Sequence, residues 1–268
     1  MITAGIDVGM ENVKVVIMDN EKILGRGAGR SGGMKRASSA EAALYEALKE
    51  AGLKKDDVEK VYATGKGKFD LQFADETITE AIAAARASQF LCPDATTAVD
   101  AGADETIVVT LGTKKPVNEF AQNEKCAAGV GIFLNVMARR FGFTQEEMGA
   151  LSPKGKDGAK VNDGCVVFAE LDALSLLNNG TPIKEVASAV TDAAAIRVCM
   201  TMNDITHPKL DKVALFGGLT KNAAFVNALK SYAKVDFVIP ADAEYAGAVG
   251  AALVAAGWGG NPYYGEKQ

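Results

Sequence analysis

Two short turns of the same design constrain the fold of this chain most. The segments GIDVG (5–9) and VDAGA (99–103) each continue an apolar run, place an aspartate two residues before a glycine, and lead into a second apolar strand. Glycine permits a close turn in which successive backbone N–H groups can point at an anion. A single turn of this kind is common. A pair at matching positions predicts two related units, each with one acidic turn.

The strands and helices around these turns predict an α/β protein with two lobes. Each turn opens a set of short strands, and alternating helices and strands follow, which is typical of mixed sheets covered by helices. We expect a first lobe over residues 1–94, a second lobe over 95–242, and a C-terminal helix within 243–268 that completes the first lobe. The segment SSAEAALYEALKEAG predicts an amphipathic helix with a serine N-cap and Gly52 at its end.

Charge and composition exclude several classes of function. The net charge of -5 and the lack of a long Lys/Arg run argue against nucleic-acid binding, which needs a basic face. The N-terminus lacks the features of a secretory signal and no segment predicts a membrane span, so we expect a cytoplasmic protein. Its four cysteines are then expected to be reduced thiols or metal ligands. A single histidine, His207, disfavours most His-based metal sites.

The two turns also contain the candidate nucleotide site. Aspartate is expected to hold Mg²⁺ through water, glycine to let the backbone approach a phosphate, and lysine to offset its charge. The candidate residues are Asp7, Gly9, Lys14, Asp100 and Gly102. A third turn, LFGGLTKN with Gly217 and Gly218, offers a flat surface for a base or ribose. The segment ATGKGKFD lacks the residues of a P-loop.

Two of the cysteines precede predicted helices. Cys126 lies in NEKCAAGVGIFLNVMARR, and Cys165 lies in NDGCVVFAELDALSLLNNG. A helix N-terminus favours a thiolate, although most free cysteines are small core residues, as we expect for Cys92 and Cys199. Two thiolates supply half of the shell of an iron-sulfur cluster or a zinc ion. The metal interpretation therefore predicts a dimer that shares one metal centre.

Together these segments resemble the BadF/BadG/BcrA/BcrD-type ATPase family, which includes activators of 2-hydroxyacyl-CoA dehydratases and ATP-hydrolysing subunits of benzoyl-CoA reductases. Both cysteine motifs and three nucleotide segments, GIDVGMENVKVVIMD, AVDAGADETIVV and VALFGGLTKN, occur in the family's order. The resemblance implies the two-lobed, ribonuclease H-like fold of actin, sugar kinases and heat-shock ATPases. It also implies ATP or ADP, Mg²⁺, and one 4Fe-4S cluster held by Cys126 and Cys165 of two subunits.

The resemblance implies further residue roles and partners. Gly217, Gly218 and Asn222 would line the adenosine side, and Asp104 or Glu105 would orient the attacking water. The short chain and its start, MITAGIDVGMENVKVVI, look most similar to the smaller ATPase subunit of benzoyl-CoA reductase. That subunit hydrolyses ATP to deliver low-potential electrons, and its partners would be a larger homologous subunit, catalytic reductase subunits and a ferredoxin-like donor.

Three alternatives stay open from the sequence. The first is a homodimeric activator of a 2-hydroxyacyl-CoA dehydratase, the second a nucleotide-binding regulatory subunit, and the third a small-molecule kinase of the same fold. The turns also depart from the activator pattern, at Met10, Glu11, Asn12, Ala103 and Asp104.

Overall fold

The computed structural model describes residues 1–113, 115–123, 129–151, 158–208 and 210–261. The elements up to residue 91 are β1 (Ile2–Val8), β2 (Asn12–Asp19), β3 (Lys22–Arg30), α1 (Arg36–Ala51), β4 (Lys60–Thr64), β5 (Glu76–Thr77) and α2 (Glu80–Leu91). The remaining elements are β6 (Thr97–Ala101), β7 (Thr106–Leu111), β8 (Val117–Gln122), α3 (Val130–Arg140), α4 (Gln145–Leu151), α5 (Val166–Asn178), α6 (Ile183–Asn203), β9 (Val213–Phe216), α7 (Ala223–Ala233), β10 (Phe237–Val238) and α8 (Ala246–Ala255).

These strands form two sheets with the same topology. The first has the order β3-β2-β1-β4-β5, and the second has the order β8-β7-β6-β9-β10. In each, the first three strands are antiparallel and the fourth pairs in parallel with the first. The repeated connectivity confirms the predicted α/β fold with mixed sheets.

Glycines let helices approach both faces of the first sheet. A Cβ at Gly27 on β3 would overlap the carbonyl oxygen of Ala43 on α1, and a Cβ at Gly5 on β1 would overlap that of Ala248 on α8. Helix α8 therefore packs on the first sheet. Because α2 packs on α8 and also on β7, the lobe boundary near residue 94 stays a prediction.

Helix α1 begins earlier than predicted. It starts at Arg36 after a 3₁₀ turn, without a side-chain cap, so the predicted serine N-cap is wrong. Instead, the Ser38 hydroxyl donates to the Lys35 carbonyl at 2.9 Å, which is how serine is often accommodated inside a helix. The predicted end is confirmed, since Gly52 caps the helix in the left-handed conformation.

The second sheet has its own core beneath α3, α6 and α7. Phe133, Leu134 and Met137 on α3 are buried there, with Leu215 on β9 and Phe225 on α7. Among the helices of the described residues, none combines the length and hydropathy needed to cross a bilayer.

Candidate functional site

A cleft lies between the two acidic turns. Its lining includes most of the sequence-predicted residues: Asp7, Gly9, Lys14, Asp100, Gly102, Asp104, Glu105, Gly217 and Gly218. Asn222 does not line the cleft directly. Its side chain caps α7 by accepting the N–H of Phe225 at 3.1 Å, and it lies against Gly149.

The two aspartates occupy equivalent places. Asp7 is the next-to-last residue of β1, beside Thr64 of the parallel strand β4, and Asp100 occupies the same position on β6, beside Phe216 of β9. A Cβ added to the glycine after each parallel strand would lie 2.5 Å from Asp7 Oδ1 at Gly65 and 2.7 Å from Asp100 Oδ1 at Gly217. Both glycines have positive φ, of 85° and 94°, so a side chain at either position would be strained and would crowd the carboxylate.

Burial perturbs both carboxylates. It raises the pKa of Asp7, against an opposing effect of Lys14. Burial and the charge of Asp7 raise the pKa of Asp100 to about 7. Lys14 lies directly across from Asp7 on β2, whereas apolar Ile107 lies across from Asp100. Two adjoining carboxylates that are poorly solvated fit a divalent cation that binds oxygen ligands, and Mg²⁺ with its waters meets that description.

Gly9 and Gly102 allow the backbone of each acidic turn to approach itself closely. Gly9 donates its N–H to the Asn12 carbonyl at 3.0 Å, and Gly102 donates to the Glu105 carbonyl at 2.9 Å. Neither has a positive φ, but a Cβ at Gly9 would lie 2.9 Å from the Asn12 carbonyl oxygen. The N–H groups of Gly9 and Gly102 therefore close the two turns and already have backbone partners.

The residues that depart from the activator pattern make specific contacts. Both carboxylate oxygens of Glu11 lie 2.8 Å from Asn135 Nδ2 on α3, and the backbone of Asp104 packs against Gly129. Glu105 projects into the cleft, where its carboxylate accepts a 2.8 Å hydrogen bond from Lys66 Nζ. Of the two candidate water-orienting residues, Glu105 therefore has the better-defined position.

Several lining residues were missed by the sequence reasoning. They include Lys66, Glu80, Asn135, Gln145 and Glu244. Lys66 lies in the segment GKGK, which lacks the residues of a P-loop. Its position two residues after β4, which pairs in parallel with β1, is the signal that could have found it.

Cys165 is the N-cap of α5 and is partly buried. The Asn162 side-chain oxygen accepts the N–H groups of Gly164 at 3.0 Å and Cys165 at 2.6 Å. The carbonyl of Asp163 accepts a hydrogen bond from Arg197 Nε at 2.6 Å. The loop before the cysteine is thus held by side chains from two directions.

Among the described cysteines, Cys92 and Cys199 differ from Cys165. Cys126 lies outside the described residues, which contain no group of three or more His, Cys, Asp and Glu side chains suited to a metal ion. Burial raises the thiol pKa of Cys92, and that of Cys199 to about 11. These two thiols are poor thiolate donors, which agrees with their predicted role as small core residues.

Helix α5 presents a row of apolar side chains outward. The exposed fractions are 63% for Val167, 58% for Phe168, 57% for Leu171 and 38% for Leu174. Single exposed apolar residues are ordinary, but a contiguous row typically marks an interaction surface. This row, which we call the α5 face, begins two residues after Cys165. On α3 the apolar residues divide differently, because Phe133 and Met137 are buried whereas Val136 is exposed.

Comparison with known proteins identifies the family. The family model described as BadF/BadG/BcrA/BcrD ATPase family matches residues 4–255. The chain belongs to this ATPase family. It is 36% identical to the activator of lactoyl-CoA dehydratase from Anaerotignum propionicum, over 95% of this chain and 97% of that protein. It is 31% identical to one of the subunits of benzoyl-CoA reductase from Thauera aromatica, over 96% of this chain and 93% of that protein.

A solved structure agrees with this assignment to the ATPase family. The activator of the 2-hydroxyisocaproyl-CoA dehydratase from Clostridium difficile, with bound ADPNP, superposes with a TM-score of 0.86 at 30% identity, over 95% of this chain and 94% of that one. A ROK family glucokinase from Streptomyces griseus shares the fold alone, with a TM-score of 0.56 and 15% identity. The predicted actin and sugar kinase fold class is confirmed. The preference for the smaller reductase subunit is less well supported than its alternative, because the activator has the higher identity.

Proposed function

We propose that the chain is the ATP-hydrolysing activator of a 2-hydroxyacyl-CoA dehydratase and that it acts as a homodimer. The observation that carries this choice of partner is the near full-length similarity to the lactoyl-CoA dehydratase activator at 36% identity. The structure with ADPNP in another activator supports a nucleotide in the cleft. The equivalent placement of Asp7 and Asp100 supports Mg²⁺ beside that nucleotide.

Each copy would contribute Cys126 and Cys165 to one shared 4Fe-4S cluster. Cys165 fits this role because it is partly exposed and its loop is held in place by Asn162 and Arg197. The helix N-terminus behind it stabilises negative charge on sulfur. A bound cluster supplies one-electron transfer at low potential. Because one chain offers two suitable thiols, a complete set of four ligands requires a second copy.

The α5 face supports the homodimer. Val167, Phe168, Leu171 and Leu174 are exposed beside Cys165, where a second copy with the same face would cover them. A two-fold interface is self-complementary, so one apolar row can bury itself against its own copy. The same contact would bring the cysteines of both copies to the axis.

In the cleft, residues of the chain would bind and hydrolyse ATP. Asp7 and Asp100 would hold the hydrated Mg²⁺, Lys14 would offset phosphate charge, and the Gly217–Gly218 turn would face the adenosine. Hydrolysis would change the separation of the two turns, and that movement is the means by which nucleotide state can alter the cysteine region.

The first experiment measures metal content and electron delivery together. The protein is purified without oxygen, and iron, acid-labile sulfide and zinc are measured for wild type, Cys126→Ala and Cys165→Ala, with Cys199→Ala as the matched control. We expect about four irons and four sulfides per dimer, lost in the first two variants only. Zinc, or metal that persists in both variants, contradicts the shared cluster.

The loaded protein is then mixed with ATP, a reductant and one of two acceptor enzymes. ATP-dependent dehydration of a 2-hydroxyacyl-CoA by its dehydratase is the expected result. Activity only with the catalytic subunits of benzoyl-CoA reductase would instead assign the chain to the second branch of the family, for which the 31% identity to the reductase subunit from Thauera aromatica is the supporting observation.

A further inference from the structure

Lys66 lies at the cleft in a loop of defined geometry. The loop follows β4, and its backbone is fixed to β1 because the Gly67 N–H donates to the Val8 carbonyl at 2.9 Å. Gly65, just before the lysine, packs against the carboxylate of Asp7. The backbone of Lys66 is thus held beside Asp7, one of the two aspartates that would hold Mg²⁺.

The side chain of Lys66 reaches across the cleft to the other sheet. Its Nζ lies 2.8 Å from Oε1 of Glu105, which sits in the turn after β6. The lysine side chain is 40% exposed, whereas the glutamate side chain is 13% exposed. The lysine can therefore change partners by rotating its flexible stem, and the glutamate is the more fixed member of the pair.

The acidic charge of the cleft favours an exchange of partners by Lys66 when a nucleotide binds. Among the lining residues that the structure describes, the cationic side chains are Lys14 and Lys66, and the acidic ones include Glu11, Glu80 and Glu244. A triphosphate entering this acidic cleft needs positive charge close to its terminal phosphate. Lys68, the next lysine along the loop, is held by Glu80 at 3.1 Å with only 13% of its side chain exposed.

We propose that Lys66 is a further catalytic residue, which exchanges Glu105 for the γ-phosphate of ATP and thereby frees Glu105 to hold the attacking water. This inference rests on the proposed ATPase function. In the hydrolysis step, the water oxygen forms a bond to the γ-phosphorus as the bond to the β–γ bridging oxygen breaks. The bridging oxygen keeps that electron pair and leaves on ADP. A water proton passes to the Glu105 carboxylate and then to solvent, leaving inorganic phosphate.

The surroundings of Glu105 suit both the state paired with Lys66 and the state in which Lys66 has moved to the γ-phosphate. Burial raises the pKa of Glu105, the charges of Glu80 and Asp104 act in the same direction, and Lys66 opposes them. When Lys66 moves to the phosphate, that opposition is reduced and the carboxylate becomes a better proton acceptor. In the paired state Glu105 is occupied by Lys66, so the cleft is ready for hydrolysis only when a γ-phosphate is present.

The test compares nucleotides with and without a γ-phosphate. Binding of ADP and of the non-hydrolysable analogue ADPNP, both with Mg²⁺, is measured by calorimetry on the full chain, and ATP turnover is measured separately. For Lys66→Met, we expect ADP affinity within about threefold of wild type but ADPNP affinity lowered by about 10- to 100-fold, the range for a charge-assisted hydrogen bond. The rate kcat should fall by about 100-fold or more, and Lys66→Arg should recover part of both losses.

Two further variants separate catalysis from a structural bridge. Glu105→Gln should bind ADPNP at least as tightly as wild type, because it removes the competitor for Lys66, and should still lower kcat. Lys212→Met is the matched control. It removes a lysine that pairs with Asp94 outside the cleft, at the segments that precede β9 and β6. The nucleotide affinities and kcat of this variant should not change. The inference is wrong if Lys66→Met weakens the binding of ADP and ADPNP equally. It is also wrong if Glu105→Gln weakens the binding of ADPNP as much as Lys66→Met does, because the pair is then only a structural bridge.

Failure of the underlying function gives a different result. A wild-type protein that binds neither nucleotide contradicts the proposed ATPase and this inference with it. A wild-type protein that binds both and hydrolyses ATP, combined with an unchanged ADP-to-ADPNP ratio in Lys66→Met, contradicts the role of Lys66 alone.

Discussion

Replacing Asp100 with asparagine measures how strongly the cleft destabilises its own carboxylates. Burial, together with the charge of Asp7, raises the pKa of Asp100 from 3.8 to about 7. Between these two values the folded chain binds a proton that the unfolded chain has released. Stability from this group is therefore fully present below about pH 4, falls as the pH rises through this window, and levels off above about pH 7.

The size of the effect follows from the shift. About three pKa units at about 1.4 kcal/mol each give an upper value of about 4 kcal/mol for the full window. Between pH 5 and pH 8 the same two pKa values give at most about 2.5 kcal/mol. Asp100 keeps part of its surface on the open cleft, where water reduces the penalty, so we expect about 1 to 2.5 kcal/mol.

Asparagine has nearly the same shape but does not ionise. The free energy of unfolding is measured with denaturant at pH 5, 6, 7 and 8, in the presence of a chelator and without nucleotide. The gain of Asp100→Asn over wild type should be larger at pH 8 than at pH 5 by the amount above, because groups common to both proteins cancel. Asp94→Asn, at a side chain that is 82% exposed, should show no such trend. A gain from Asp100→Asn that does not vary with pH would refute the reasoning.

Two other predictions concern close packing and the Cys165 loop. Gly27→Ala should lower the free energy of unfolding by about 3 kcal/mol, because its Cβ would overlap the Ala43 carbonyl. Gly29→Ala on the same strand, where the nearest neighbour of the added Cβ is 4.0 Å away, should change it by less than about 1 kcal/mol. Similar losses for the two variants in a denaturation assay would contradict this. Arg197→Met removes the hydrogen bond to the Asp163 carbonyl and the guanidinium that lies 4.2 Å from the centre of the Phe133 ring. In the metal-free protein, Cys165 of this variant should therefore react several-fold faster with a thiol reagent than Cys165 of the control Arg139→Met. Equal rates would show that Arg197 does not position the loop.

The duplicated sheets could be predicted because the pattern that defines them is local. Asp7 and Asp100 each sit between an apolar run and a glycine, and a strand before and after such a turn can only be antiparallel neighbours. The start of α1 could not be predicted in the same way. The helix follows a 3₁₀ turn that begins after Gly32, a glycine in the left-handed conformation, and the serines that usually mark a cap lie inside the first turns of the helix.

The parts of the site that were missed depend on contacts distant in sequence. Lys66 meets Glu105 only because β4 pairs in parallel with β1 and the two sheets face one cleft. The sequence likewise does not reveal whether the apolar side chains of α5 are covered. Residues 167, 168, 171 and 174 are exposed in the single chain, and the proposed homodimer would cover them.

Helix α3 contacts both acidic turns that line the cleft. Its first turn rests on the second acidic turn, because the Ile132 N–H donates to the Ala103 carbonyl at 2.9 Å and a Cβ at Gly131 would lie 2.7 Å from Ala103 Cα. One helical turn later, Asn135 contacts Glu11 of the first acidic turn. A helix held by both turns must shift or lose one contact when their separation changes, since packed interfaces do not deform continuously. A nucleotide-dependent movement of the two turns would therefore act on α3, whose first residue, Val130, follows Cys126 by four positions in the sequence.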